Sequence, residues 1–254
     1  MVSLSHPRAI AAAEKMPVSS RNDDSVMVIP AYNEALGVGS VIDDLRRDFT
    51  QKILVVTRPS TDGTEEAARQ HGAEVIQQPG RGKGDAIRAA LQYISQHYPS
   101  VLVVGLIDAD CTYATAQLPL MRSVLMSHPS IGMVVGARST FRNNGVRSLS
   151  YALGNHTLAR LHSWLNSVSM RDPLSGLRLI RVEALYRWTP RAAGFDIECE
   201  INHHVQNDAG LEVAEIPVEY RQRVGRKKLG IVHGFRILAR IFQLRFQARP
   251  TAPE

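Results

Sequence analysis

Cysteine is scarce in this sequence, since only Cys111 and Cys199 occur among its 254 residues. Two cysteines cannot form a disulfide framework, so we expect a reducing, cytoplasmic setting. No apolar run approaches the roughly 18 residues of a membrane-spanning helix, and residues 1–25 have no apolar signal-peptide core. The expectation is a loose N-terminal leader over residues 1–25, followed by a soluble or peripheral protein.

A stretch near the C-terminal end of the chain, residues 221–249, contains no acidic residue. The whole sequence has 30 Lys and Arg against 24 Asp and Glu, and residues 221–249 hold nine of the basic residues and no acid. A basic surface can bind nucleic acid, an anionic membrane or a phosphorylated small molecule, and net charge alone does not choose among them. Gly-x-Ser-x-Gly and His-Glu-x-x-His are also absent, which removes those hydrolase and metalloprotease signatures.

Apolar β-rich runs alternate with amphipathic helical stretches through the first half of the chain. Such alternation predicts an α/β fold with a mainly parallel, doubly wound sheet and helices on both faces. We expect a single domain over residues 26–248, divided into a nucleotide-binding half at 26–137 and an acceptor-side half at 138–248. Predicted strands are 26–30, 53–56, 74–76, 101–107, 133–135, 176–180 and 213–218, and predicted helices of the second half are 149–165, 197–206 and a basic one at 231–246.

Four of the predicted strands end in polar loops. Ligands of open α/β sheets bind beyond the carboxyl ends of the strands, so these loops should converge on one site. Together they supply carboxylates, a lysine, an arginine and glycines. The loops span residues 30–34, 57–63, 78–84 and 108–113.

The strongest of these signals is Asp108-Ala109-Asp110, which follows a long apolar strand. Two carboxylates so close repel each other unless a cation compensates, and hard oxygen ligands favour Mg²⁺ or Mn²⁺. A metal on a diphosphate would neutralise charge that builds on the leaving group. The alternative interpretation is a polar turn in which an aspartate caps the next helix.

Two further loops have both a functional and a structural interpretation. Arg81-Gly-Lys-Gly84 opens a helix, so backbone N–H groups and Lys83 could face phosphate, although the spacing is not that of a P-loop. Taken alone, it is an ordinary glycine-rich loop. Ser60-Thr-Asp-Gly63, which contains Asp62, is equally well explained as a turn and helix cap.

In this order, the motifs of the chain resemble the family 2 glycosyltransferases with the GT-A fold, and most closely the dolichyl- or polyprenyl-phosphate sugar transferases. The resemblance covers most of the chain, from Val26 to about Phe242. Nine motifs in register carry it, at residues 28–34, 60–63, 81–84, 108–110, 136–138, 172–178, 194–200, 216–221 and 227–229.

The resemblance implies a role for each motif. The metal would lie on Asp108 and Asp110, with Thr112 beside it, and the family inverts the anomeric centre by direct displacement. Residues implied at the nucleotide and donor phosphates are Pro30, Ala31, Tyr32, Glu34, Thr57, Arg58, Asp62, Lys83, Asp108, Ala109, Asp110, Arg221, Lys227 and Lys228. Residues implied in catalysis are Asp110, Asp196, Arg138 and Arg147, the two arginines on the donor diphosphate or the acceptor phosphate.

One motif departs from the family pattern, because Thr57-Arg-Pro-Ser60 stands where relatives usually have Asp-Asp-Gly-Ser. An aspartate there commonly contacts the nucleotide, so the base is left open, and Arg58 could replace it by stacking or hydrogen bonding. A UDP-sugar is favoured as donor and a GDP-sugar is the alternative. The transferred group would be a hexose or an N-acetylhexosamine.

The acceptor implied by the resemblance is a polyprenyl or dolichyl phosphate at the cytoplasmic face of the membrane. A phosphate monoester is already ionised near neutral pH and needs no general base. A soluble hydroxyl acceptor would need one, and Asp196, Glu198 and Glu200 are the candidates. The helix at 231–246 could lie on an anionic membrane or simply pack on the core.

The sequence lacks features of two other classes of protein. A sugar-nucleotidyltransferase would want a glycine-rich activation loop after the first strand, and residues 35–39 are too sparse in glycine for one. A basic nucleic-acid-binding protein would want an aromatic stacking platform or a recognition motif, which the sequence lacks. We therefore expect no nucleic-acid partner.

Overall fold

A computed structural model describes residues 24–50, 52–138, 149–185, 188–225 and 230–246, with side chains except at 149–156 and 231–232. Within these residues, no helix is both long and apolar enough to cross a membrane. The strands are β1 (Ser25–Pro30), β2 (Ile53–Thr57), β3 (Glu74–Gln77), β4 (Val103–Leu106), β5 (Ile131–Arg138), β6 (Arg178–Arg181) and β7 (Glu212–Val218). The helices are α1 (Ala35–Asp48), α2 (Thr64–Gln70), α3 (Lys83–His97), α4 (Leu118–Ser127), α5 (Leu149–Asn166), α6 (Val182–Leu185), α7 (Ile197–His203) and α8 (Ile231–Arg245).

The seven strands form one sheet in the order β3-β2-β1-β4-β6-β5-β7. Strands β1 to β4 are parallel, and β6 runs antiparallel between β4 and β5. From β1 the chain extends the sheet through β2 and β3 on one side and returns to β4 on the other. This reversal is a topological switch point, where open α/β sheets bind their ligands. It brings the loops after β1 and β4 together.

Apolar side chains on alternate strand positions build a core on each face of the sheet. On β1, Met27 and Ile29 belong to one core, while Val26 and Val28 belong to the other. A strand buried on both faces must be apolar throughout, which explains the unbroken runs in the sequence. A smaller third core joins α5, α7 and α8 through Cys199, Ile237, Ile241 and Leu244 with Leu158, Leu161 and Leu165.

The predicted α/β fold is therefore confirmed, with three differences in detail. Ser25, assigned to the leader, is the first residue of β1 and is buried, while residues 1–23 lie outside those described. The strand expected at 101–107 is shorter, because only 103–106 pair in the sheet. The helix expected at 197–206 ends at His203 and continues as a π-helical turn. The division of the domain at residue 137 stays a prediction.

A buried arginine fixes the loop that enters β6. Arg178 is fully buried and donates from Nε to Ser175 O at 2.9 Å and from Nη2 to Pro173 O at 2.8 Å. Its Nη1 donates to the side-chain oxygen of Asn202 on α7. Burial lowers the pKa of Arg178. The side chain thus ties the 172–177 loop, which borders the site described below, to α7.

We expect Arg178→Met to lower the free energy of unfolding by roughly 3–5 kcal/mol, because the buried Ser175 O and Asn202 Oδ1 lose the Arg178 donor and Pro173 O keeps only its bond from Asn202. The exposed Arg69→Met is the control and should change it by about 0.5 kcal/mol or less. Urea denaturation followed by circular dichroism measures both. If the two variants unfolded at the same urea concentration, the structural role given to Arg178 would be wrong.

Candidate active site

The loop after β4 places two carboxylates at the switch point of the sheet. Asp110 is buried, and its Oδ1 accepts hydrogen bonds from the backbone N of Thr112 at 3.2 Å and its Oγ1 at 2.6 Å. Asp108 keeps about a third of its side chain exposed. It lies so close to Gly176 that a Cβ atom there would overlap its carboxylate. Residue 176 must therefore be glycine if Asp108 is to stay in place.

Lys83 neutralises Asp108 from the neighbouring helix. Its Nζ lies 2.6 Å from Asp108 Oδ1 and 2.7 Å from Glu198 Oε1, and its side chain is buried. Burial alone would lower the pKa of Lys83, but the two carboxylates outweigh it and hold that pKa above its ordinary value. For Asp108 the signs are opposite. Burial alone would raise its pKa, but the nearby Lys83 ammonium outweighs burial and holds the pKa of Asp108 below its ordinary value. The ammonium and the carboxylate are thus both charged near neutral pH.

Arg223 makes an equivalent bridge on the other side of the loop. Its Nη1 lies 2.7 Å from Asp110 Oδ2, and its Nη2 lies 2.6 Å from Glu34 Oε1. The backbone N of Val224 also donates to Asp110 O at 3.0 Å. The segment after β7 is thereby fastened over the end of β4. From the sequence, Arg223 was only one of many basic residues, and its partner role was missed.

Four carboxylates share these two cations, because Glu34, Asp108, Asp110 and Glu198 surround Lys83 and Arg223. The excess of negative charge and the oxygen-only donor set fit a hard divalent cation. Among the described residues, no three or more His, Cys, Asp or Glu side chains are placed so that they could hold a metal ion by themselves. Any metal there would need further ligands from a substrate.

The loops after β1 and β2 are locked to each other. Asp62 Oδ2 accepts from Ala35 N at 3.0 Å, and its Oδ1 accepts from Thr64 N at 3.1 Å. The hydroxyl of the buried Thr57 donates to the carbonyl of Arg58 at 2.8 Å. These contacts make the structural role of Asp62 plain, while its nucleotide-binding role stays a prediction.

An arginine–tyrosine stack lies where the sequence departs from the family pattern. The Cζ atom of Arg58 is 3.6 Å from the ring centre of Tyr32, a close cation–π contact. Tyr32 follows Pro30 and Ala31 at the end of β1, so the stack joins two of the segments expected to line the nucleotide pocket.

Two arginines expected at phosphate groups have protein partners. Arg138 donates from Nε to Asp172 Oδ2 at 2.7 Å and from Nη2 to Asp172 Oδ1 at 2.5 Å, so its fork is bidentate on that carboxylate. Arg221 has an almost half-exposed side chain, 3.6 Å from Glu219 and 3.8 Å from Asp44. Arg147, Lys227 and Lys228 lie outside the described residues.

The three acids considered as general bases have different surroundings. Glu198 reaches the carboxylate cluster through Lys83. Asp196 instead accepts from Arg240 Nε at 2.9 Å. Glu200 accepts from the backbone N of Arg191 and Ala192 at 2.7 and 2.6 Å. Among these acids, only Glu198 shares a partner with the Asp108 carboxylate in the described structure.

The glycine-rich loop before α3 has a structural explanation. The backbone N of Gly84 donates to Ala193 O at 3.0 Å, and the N of Asp85 donates to the same oxygen at 3.3 Å. A Cβ at Gly82 or Gly84 would overlap the carbonyls of residues 193 and 192. The backbone N–H groups of Gly84 and Asp85 are thus hydrogen-bonded within the protein, and a phosphate-binding role for this loop stays a prediction. The Lys83 side chain of the loop reaches the site.

The profile of Glycosyl transferase family 2 matches residues 26–188, which is more than half of the chain. The chain therefore belongs to this family and is a glycosyltransferase. Its sheet and covering helices form the GT-A fold expected from the sequence motifs.

Among curated relatives, the dolichyl-phosphate hexose transferase of Haloferax volcanii is 34% identical over 82% of this chain and 87% of its own length. Glycosyltransferase AglJ of the same organism is 31% identical over 79% of this chain, which spans only 64% of that protein. Among solved structures, glucosyl-3-phosphoglycerate synthase from Mycobacterium tuberculosis, in complex with Mn²⁺, UDP-glucose and phosphoglyceric acid, has a TM-score of 0.69. The two share 24% identity, and the match covers 96% of this chain and 84% of that one.

Removing the Lys83 charge should destabilise the protein in a pH-dependent way. At pH 7 we expect Lys83→Met to cost about 3–5 kcal/mol of unfolding free energy, because Asp108 and Glu198 lose their buried cation. The cost should shrink as the pH falls towards 4. In the wild type, the stability from the lowered pKa of Asp108 is still present at that pH, because it is lost only as the pH falls through the lowered pKa, whereas in the variant the carboxylates have lost their cation and protonate at higher pH.

Urea denaturation at pH 7 and at about pH 4.5 measures this difference. Arg69→Met, which removes an exposed charge, serves as the matched control and should show little change at either pH. A cost for Lys83→Met that is equal at both pH values would contradict the charge-compensation role of Lys83.

Proposed function

We propose that the protein transfers a hexose or N-acetylhexosamine from a nucleotide sugar, UDP-linked in preference to GDP-linked, to a polyprenyl or dolichyl phosphate. The observation that carries the proposal is the cluster of Asp108 and Asp110 with Lys83 and Arg223 at the switch point of the sheet. Such a cluster combines oxygen ligands for a metal with cations for a diphosphate. Transfer by direct displacement would invert the anomeric carbon.

The donor side of the proposal is supported by the fit of the carboxylates to a hard cation. Asp108 and Asp110 would hold Mg²⁺ or Mn²⁺, and the diphosphate would complete the ligand set. When bound, the metal would neutralise charge on the departing nucleoside diphosphate. Lys83 and Arg223 lie on the same two carboxylates and can donate to diphosphate oxygens there. Thr112 orients Asp110 by its two hydrogen bonds.

The base is proposed to bind beside the Arg58–Tyr32 stack. A guanidinium group donates hydrogen bonds and accepts none, so Arg58 suits the carbonyl oxygens of a base. Uracil presents two such oxygens. The relative of the same fold that was solved with UDP-glucose supports this preference. A guanine base, which also carries a carbonyl oxygen, is the alternative that the experiment below compares directly.

The acceptor is proposed from the relatives and from the chemistry of the site. The most informative relative is named for transfer to dolichyl phosphate. An ionised phosphate oxygen can attack without a general base, which agrees with the pairing of Asp196 with Arg240 and of Glu198 with Lys83.

A soluble phosphorylated acceptor is the second candidate, because the structural relative was solved with phosphoglyceric acid. For a hydroxyl nucleophile the base would have to come from the carboxylates, and Glu198 is the one placed at the cluster. The two acceptors thus make different demands on Glu198. Glu198→Gln should spare transfer to a phosphate oxygen far more than transfer to a hydroxyl.

Transfer assays with UDP- and GDP-sugars, each with polyprenyl phosphate or 3-phosphoglycerate and Mn²⁺, test the proposal. We expect product with a UDP-sugar and polyprenyl phosphate. Asp110→Asn should lower kcat by about a hundredfold or more, because a charge-stabilising ligand of the transition state is lost.

Asp43→Asn is the matched control, since Asp43 is exposed and pairs with His71 away from the cluster. It should keep wild-type activity. Product with 3-phosphoglycerate alone would replace the lipid acceptor by the soluble one. Wild-type turnover in Asp110→Asn would overturn the metal and diphosphate assignment.

A further inference from the structure

Helix α8 carries two apolar stripes, one on each side. The inner stripe consists of Ile237, Ile241 and Leu244, which are buried against α5 and α7. A helix on the surface of a globular protein needs only one such stripe to pack on its core. The second stripe therefore has no explanation in the packing of the described chain.

The outer stripe consists of phenylalanines. Phe235, Phe242 and Phe246 are spaced by seven and four residues, so they follow one line along the helix and its C-terminal end. Their exposed fractions are 68%, 48% and 84%. Single exposed apolar residues are ordinary, but an aligned group of large ones marks a docking surface.

Arginines flank this stripe. By helical periodicity Arg236 lies on one side of the phenylalanines and Arg245 on the other, and both are exposed. Residues 230–246 contain no acid. The third arginine, Arg240, turns inward and bonds Asp196 instead. The outer face of α8 is therefore aromatic along its middle and positive along its edges.

We infer that this face docks on a bilayer surface rich in anionic phospholipids. Phenylalanine rings would enter the boundary between headgroups and acyl chains, and the flanking arginines would contact headgroup phosphates. Each arginine near such a surface contributes about 1 kcal/mol, or roughly fivefold in partitioning. The charge of the edges is what selects an anionic membrane over a neutral one.

The position of α8 relates this face to the site. On the inner side of α8, Arg240 forms an ion pair with Asp196, just before α7, and lies 3.9 Å from Glu200 on α7. Glu198 of the carboxylate cluster is on the same helix α7. The biological purpose of docking rests on the proposed lipid-phosphate acceptor, which such a membrane would present. The docking itself can be tested without any acceptor or donor.

Flotation with vesicles that contain no polyprenyl phosphate tests the inference, comparing phosphatidylcholine alone with phosphatidylcholine containing about one third phosphatidylglycerol. We expect the wild type to float with the anionic vesicles only. The double variant Phe235→Gln and Phe246→Gln should bind at least about tenfold more weakly, because its most exposed rings are lost. Leu102→Gln removes an exposed apolar residue elsewhere and should bind like the wild type.

A second pair of variants tests the contribution of the arginines separately from that of the phenylalanines. Arg236→Ala should lower anionic-vesicle binding about fivefold, whereas Arg69→Ala, an exposed arginine on α2, should not. Equal flotation with both vesicle types, or no flotation, would overturn the inference. So would a concentration-dependent dimer in sedimentation velocity that the phenylalanine double variant abolishes, because a second copy would then be the occupant. If the wild type floated with anionic vesicles but transferred no sugar to polyprenyl phosphate, the proposed acceptor would be wrong and the docking inference would stand.

Discussion

The site depends on one electrostatic constraint, which is the sharing of two cations, the buried Lys83 and the partly buried Arg223, among four carboxylates. Lys83 bridges Asp108 and Glu198, and Arg223 bridges Asp110 and a glutamate at the end of β1. Without these cations, burial of so many acids at the switch point would be costly. With them, the cluster keeps a net negative charge that a divalent metal would complete. The same two cations are then available to a diphosphate.

The surrounding fold holds this arrangement through close backbone approaches and one buried arginine. Gly176 leaves room for the Asp108 carboxylate, and Gly84 lets α3 reach the 192–193 loop, which aims Lys83 at the site. Arg178 fixes the loop that contains Gly176. Arg240 joins α8 to α7. A single chain of contacts thus extends from the carboxylate cluster to the aromatic face of α8.

The sequence predicted the features that depend on local pattern. Unbroken apolar runs indicated the parallel strands, and Asp108 with Asp110 after such a run indicated the site. Features that depend on long-range pairing were missed. Arg223 lies 113 residues from Asp110 along the chain, and Arg138 is bidentate on Asp172 where a phosphate was expected. Nothing in local spacing distinguishes an arginine that binds a carboxylate from one that awaits a ligand.

Titration calorimetry of Mn²⁺, with and without UDP, tests the central claim most directly. If Lys83 and Arg223 already compensate the charges of Asp108 and Asp110, a metal ion competes with them for the two carboxylates. A bound diphosphate would supply the metal with further ligands and would give Lys83 and Arg223 other anionic partners. We therefore predict weak binding of Mn²⁺ alone and binding at least about tenfold tighter when UDP is present, since the two ligands are linked. Equal affinity with and without UDP would contradict the account.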